Sequence, residues 1–319
     1  MATLRIIFMG TAELACASLN ALKHWGDCAV VAVVTQPDKP KGRDLKLQPS
    51  PVKKLALELN LPVLQPEKAR AADFVNTLRE FNPDLIVVVA YGQILPQTVL
   101  DVPRLGCLNV HTSLLPKYRG AAPIQWAILD DEPQTGVTIM KMDAGLDTGD
   151  ILSQSVTPIH PSDNAETLHN RLALIGAELL TETIPNFVAG TIVAKKQPAN
   201  GSSYARKISK EDGKLDWSAP ARKLWNQVRA FTPWPGAFTF QTAGESKRLL
   251  KIWQAEPVEI TGAEPGTVIA ADKTGIVVAC GKDSLRLVAL QREGGRRLSA
   301  QEFLAGNPVQ IGSKFGAQN

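Results

Sequence analysis

Four short, nearly unbroken apolar runs, residues 4–9, 29–34, 85–90 and 107–110, constrain this chain more than any other feature. A strand with one face in water alternates apolar and polar residues. A strand covered on both faces reads instead as a continuous apolar run, the mark of a mostly parallel sheet. Parallel strands need long crossovers, and helical patterns do lie between these runs. One spans residues 51–59 and opens with Pro51, whose fixed φ and missing N–H suit a first helical position. Alternating strands and helices predict a doubly wound α/β fold for the first part of the chain. The longest unbroken runs among these, residues 29–34 and 85–90, are far shorter than the roughly 20 residues needed to cross a membrane. The N-terminal residues pass directly into a strand pattern, with neither a secretion signal nor a transit peptide. The expected location is the cytoplasm, with no membrane partner.

A strongly periodic helical pattern starts at about Ala165, with Pro185 as a potential break and Gly190 as its stop. Residues 194–203 have the composition of a linker. The character then changes: a helix-like segment at 219–230 precedes short strand patterns at 238–241, 249–255, 267–270, 275–280 and 284–290. Several short strands at this spacing predict a small β-barrel. The expected domains are 1–189, a linker 190–207, and a β domain 208–319. The net charge of +4 divides unevenly, −4 over residues 1–189 and +8 over residues 190–319, so a polyanion would be drawn to the second half. Cys16, Cys28, Cys107 and Cys280 are scattered among apolar neighbours with no metal-ligand spacing, so each is expected to be a small buried hydrophobe.

Three places carry polar chemistry. After the first strand, Gly10-Thr11-Ala12-Glu13-Leu14-Ala15 lacks the second and third glycines of a dinucleotide fingerprint, so a nicotinamide cofactor is not expected and Gly10 reads as a tight turn. Asn109 and His111, two apart on a strand, share a side at the carboxyl end of the sheet, where open α/β folds place ligands. Residues 142–150 hold Asp143, Asp147 and Asp150 with Gly145 and Gly149, a tight polar loop without the spacing of an EF-hand. His24, His160 and His169 read as surface or loop positions, and no metal site emerges.

The order Asn109-x-His111, then Ser113-Leu114-Leu115-Pro116, then Asp147 resembles the formyltetrahydrofolate-dependent formyltransferases. The resemblance implies a Rossmann-like catalytic domain in which Asn109, His111 and Asp147 form the catalytic group. Ser113, Leu114, Leu115 and Pro116 would line the folate site, with 10-formyltetrahydrofolate as cosubstrate and no metal. Asn109 and a protonated His111 would face the carbonyl oxygen as it gains charge, and Asp147 would hold His111 and help deprotonate the attacking amine. The 130 residues after 189 exceed what the purine-pathway members carry. The basic segment 35–53 resembles an insertion of the branch acting on initiator methionyl-tRNA, and residues 204–217 and 228–238 resemble the start of that branch's C-terminal domain. The resemblance then implies translation initiation as the setting and an OB-like barrel as the tRNA platform. Lys39, Lys41, Arg43, Lys46, Lys195, Lys196, Arg206 and Lys207 are the cations expected to meet tRNA, and the expected state is a monomer. Sugar-nucleotide formyltransferases are the nearer alternative, and an RNA-binding protein with a decayed catalytic domain the more distant one. Ala12, Leu14 and Thr112 depart from the tRNA branch's usual pattern.

Overall fold

A computed structural model of the protein describes residues 3–41, 46–243 and 246–316. These residues form two compact units. One comprises residues up to 123 with 134–158 and 169–205; the other comprises 124–133, 159–168 and residues from 206 onward. Among the described residues, no helix is long and apolar enough to cross a membrane.

In chain order the elements run β1 (Leu4–Gly10), α1 (Leu14–His24), β2 (Cys28–Val34), β3 (Lys39–Lys41), β4 (Lys46–Gln48), α2 (Pro51–Glu58), β5 (Val63–Leu64), α3 (Ala72–Glu80), β6 (Leu85–Val89), α4 (Gln97–Leu100), β7 (Cys107–His111), β8 (Arg119–Gly120), α5 (Pro123–Leu129), β9 (Gln134–Lys141), β10 (Ile151–Pro158), α6 (Ala165–Val188) and β11 (Tyr204–Ala205). The first unit is built on a seven-stranded sheet of order β10-β9-β7-β6-β1-β2-β5. Neighbours from β7 to β5 are parallel, as the apolar runs predict for β7, β6, β1 and β2; the two-residue β5 carries no such run. The antiparallel β9 and β10 were not legible as strands; edge strand β10 is only partly buried and carries a weak apolar signal. Ile6, Ile7, Phe8 and Met9 are all fully buried, so β1 is covered on both faces. The chain leaves β1 toward β2 and β5, then crosses to β6 on the other side. At such a reversal of direction, open α/β sheets place their ligands, at the carboxyl ends of the strands.

Helix α6 continues through Pro185, three residues before its end, although proline has no N–H to donate to the Thr181 carbonyl one turn back. The helix stops as expected at Gly190 (φ +70°), with Thr191 N–H donating to the carbonyl of Asn186. A side chain at Gly176 would collide with Val110, so glycine lets α6 press on β7.

The second unit contains α7 (Ala221–Ala230), β12 (Ala237–Ala243), β13 (Ser246–Val258), β14 (Val268–Asp272), β15 (Gly275–Ala279), β16 (Ser284–Arg292), β17 (Leu298–Ser299) and α8 (Ala300–Gly306). Its sheet has the order β12-β13-β16-β15-β14, with β17 added to β16. The C-terminal segment joins the two edges: Gln241 on β12 bridges Phe315, and Thr267 before β14 bridges Lys314. Closing both edges removes the unpaired strand groups that an open sheet would expose. Trp217, Leu224, Val228, Ile252, Leu287 and Phe303 are part of the core beneath.

Candidate functional site

β7 presents Asn109 and His111 from the same side, both buried, in register with Met140 and Thr138 of β9. His111 Nε2 lies 3.0 Å from the carbonyl oxygen of Tyr118. A carbonyl can only accept, so Nε2 carries a proton and Nδ1 is the nitrogen left for chemistry. Nδ1 faces Asp147 Oδ2 at 3.9 Å, too long for a hydrogen bond and close enough for charge to act. Among the described residues the amide of Asn109 makes no hydrogen bond, so its donor is available.

Asp147 reaches His111 by an indirect route. β9 runs antiparallel to β7, and the loop leaving it begins where Met142 N–H donates to the Cys107 carbonyl, so the chain must return along β7. The backbone at Asp147 is left-handed (φ +51°), a conformation Asp tolerates better than most residues. Its Oδ2 accepts the Gly120 N–H at 2.8 Å. Asp143 serves the loop itself, accepting from Gly145 N–H and Thr148 Oγ1. Gly149 has no room for a side chain, since a Cβ would sit 1.8 Å from the Lys141 carbonyl oxygen. Among the described residues, no three His, Cys, Asp or Glu side chains converge as metal ligands would.

The turn after β7 divides in two. Ser113 and Leu115 are buried, and Ser113 Oγ donates to the Lys117 carbonyl at 2.6 Å. Thr138 Oγ1 donates to the Ser113 carbonyl and accepts from Leu115 N–H and the Gln154 amide. Leu114 and Pro116 are half-buried, so they are the turn residues a ligand can reach. Gly10 is the last residue of β1, paired with Val89, rather than part of the turn that follows; a side chain there would strike Phe8 and Ala15, so close packing is what glycine permits. Leu14 and Thr112 are buried.

Residues 195–205 are tied to the site along their length, which linker composition did not reveal. Lys195 pairs through its backbone with Ile151. Gln197 Nε2 donates to the carbonyls of Asp147 (2.7 Å) and Gly149 (2.9 Å), while its Oε1 accepts from Arg119 Nε and Nη2. Ser203 Oγ accepts from Tyr118 N–H, and β11 pairs with β8. The chain from 195 to 205 is a strap.

The expected basic loop contains a hairpin, β3 pairing with β4. Lys39 and Lys46 are exposed on it; Lys41 ends β3, and Arg43 lies outside the described residues. Its base is anchored: Thr35 bonds Ser50, which caps α2, and Lys53 pairs with Asp38 at 2.7 Å. That bond to Lys53, with a second from Gln65, holds the Asp38 carboxyl below its usual range. Lys195, Lys196 and Lys207 are exposed. Arg206 is already engaged, paired with Asp212 at 2.5 Å and stacked over Trp126, and this pairing pushes the Asp212 carboxyl far down. Also in the second unit, Trp225 lies between Arg222 and Arg229, and Arg297 lies over Trp253 at 4.2 Å. All four cysteines are free; Cys107 and Cys280 are buried as expected, whereas Cys16 and Cys28 are only half-buried.

Residues 4–184 match the family described as formyl transferase, and residues 207–308 match formyl transferase, C-terminal domain. Methionyl-tRNA formyltransferase of Geobacter metallireducens is 51% identical over 316 residues, covering 99% of this chain and 100% of that protein. Among solved structures, WlaRD, a sugar 3N-formyl transferase, superposes with a TM-score of 0.64 at 21% identity, covering 90% of this chain and 98% of that one. HypX from Aquifex aeolicus, in complex with tetrahydrofolic acid, gives 0.63 at 17% identity; all of this chain aligns with 51% of HypX. At such identities these two structures speak for the fold alone. The chain belongs to the formyl transferase family, among its methionyl-tRNA formyltransferases.

Proposed function

We propose that the protein transfers the formyl group of 10-formyltetrahydrofolate to the amino group of methionyl initiator tRNA, yielding N-formylmethionyl-tRNA for translation initiation in the cytoplasm. The observation that carries this reading is the approach of His111 Nδ1 to the Asp147 carboxylate at the carboxyl end of β7, on the side of the strand that also presents the Asn109 amide. The chain's full-length likeness to methionyl-tRNA formyltransferases names the substrates.

The free amine attacks the formyl carbon, and the carbonyl oxygen becomes an oxyanion. The Asn109 N–H and a protonated His111 Nδ1–H supply donors where that charge develops. Asp147 stabilises the imidazolium, and its second oxygen, Oδ1, accepts the proton from the attacking nitrogen directly or through water. Collapse breaks the bond to the folate nitrogen, which takes up a proton and leaves as tetrahydrofolate. Leu114 and Pro116, backed by Ser113 and Leu115, would border the folate. Residues 1–189 form the catalytic domain in this reading, 190–207 the connection, and 208–319 an OB-like platform. Lys39, Lys41, Arg43, Lys46, Lys195, Lys196 and Lys207 would meet tRNA phosphates, with Arg206 limited by its bond to Asp212.

The deciding experiment offers 10-formyltetrahydrofolate with methionyl-tRNA in one arm and an amino-sugar nucleotide in the other. Formylation of the tRNA alone supports the reading, and turnover of the sugar nucleotide alone replaces it with the sugar branch.

A further inference from the structure

We infer that Gln197 is a positioning residue for formyl transfer, setting where the Asp147 carboxylate stands. The inference rests on the reading that Asp147 takes part in the chemistry. A glutamine amide offers two N–H donors and one carbonyl acceptor, and at Gln197 all of these are used. Two backbone carbonyls can only accept, so the nitrogen must face Asp147 and Gly149, leaving the oxygen for the Arg119 guanidinium.

Those partners are the segments that grip Asp147 from either side. The 147–149 loop carries the carboxylate, and its backbone is left-handed at Asp147 itself. Gly120, next to Arg119, donates the N–H that holds Asp147 Oδ2. Gln197 thus links the segment bearing the carboxylate to the segment receiving it. The same strap secures His111 at one remove, because Ser203 holds the N–H of Tyr118, whose carbonyl receives His111 Nε2. At 3.9 Å the Asp147–His111 pair has no hydrogen bond of its own to fix its spacing, so the spacing is imposed from outside.

The test compares Gln197→Glu and Gln197→Ala in the full chain, using methionyl-tRNA and 10-formyltetrahydrofolate. Gln197→Glu keeps a partner for Arg119 but turns carboxylate oxygens on two carbonyls, releasing the loop while preserving the rest. Both variants should lose roughly 10–100-fold in kcat. KM for each substrate should stay within about threefold, and the thermal midpoint of Gln197→Glu should remain near that of the parent. Asp147→Asn is measured alongside. In the double variant Asp147→Asn/Gln197→Ala, the Gln197 change should add less than about threefold, because a group acting through Asp147 has nothing further to disturb. Unchanged kcat in Gln197→Glu, a loss confined to KM, or fully multiplicative losses in the double variant would overturn the inference. Impaired Asp147→Asn with unaffected Gln197 variants removes the inference alone. Full turnover by Asp147→Asn removes the reading beneath it as well.

Discussion

His111 has one ring nitrogen committed to a backbone carbonyl and one turned to Asp147, which fixes the tautomer before any substrate arrives. Replacing Asn109 or His111 by Ala, or Asp147 by Asn, should each lower kcat by at least ~10²-fold, the scale for losing one oxyanion-hole donor. Asn is the better replacement at 147 because it also tolerates the left-handed backbone, so any loss reports the charge. Near-normal turnover in a folded His111→Ala protein would sink the assignment. Gly149 makes a separate prediction. A methyl group there meets the Lys141 backbone, so Gly149→Ala should destabilise by about 1–3 kcal/mol, as overpacking does, and should also lower kcat by shifting the Asp147 loop. A urea midpoint and kcat both equal to the parent's would show that the loop yields freely.

Among elements, the strap and the β3–β4 hairpin carry exposed lysines on opposite sides of one question: which cations meet the tRNA. Lys195 and Lys196 immediately precede Gln197, so a phosphate bound there bears on the same segment that grips the Asp147 loop. Removing Lys195, Lys196 and Lys207 together should raise KM for tRNA and make its dependence on log salt shallower. The expected change is about 0.7–0.9 in slope for each phosphate no longer neutralised, with folate KM unaltered. An unchanged slope would show that these lysines are solvated bystanders. On the hairpin, Lys46 and Leu47 are exposed, so trypsin should cut after Lys46 in the free protein, and bound initiator tRNA should slow that cleavage. Equal rates with and without tRNA would leave the hairpin without a part in binding.

For the whole molecule, acid is the informative perturbation. Hydrogen bonds from Lys53 to Asp38, from Arg222 to Asp131 and from Arg206 to Asp212 hold these carboxyls below their usual range. A carboxyl lowered on folding stabilises the native state above its unfolded pKa, about 3.9, and loses that contribution as pH falls toward the native value. The urea midpoint should therefore hold near neutrality and decline below about pH 4. Asp212→Asn should be less stable than the parent at pH 7, by up to about 1 kcal/mol for a partly exposed pair, with the gap narrowing in acid. A constant gap from pH 7 to pH 3 would show that the ion pair contributes nothing to stability.

Apolar patterns, capped and interrupted by turn residues, were enough to specify four of the five parallel strands, all but the two-residue β5, and, later in the chain, five strands of the second unit, because burial on one or both faces is written locally in the side chains. Asn109, His111 and Asp147, which the proposed chemistry uses, stand out in the chain because their types and order resemble the formyltransferase motif. Other features needed the folded chain. Edge strand β10 is too polar to announce itself, and α6 continues through Pro185 where the residue type alone reads as a break. Residues 195–205 have the composition of a free linker, yet backbone pairing with Ile151 and Gly120 makes them a strap. Gln197 carries no local signal at all, since its partners lie 48 to 78 residues away in the chain. Burial and type are properties of a residue and its near neighbours, so sequence determines them; the convergence of two distant segments, the 147–149 loop and Arg119, on one amide exists only once the chain has folded.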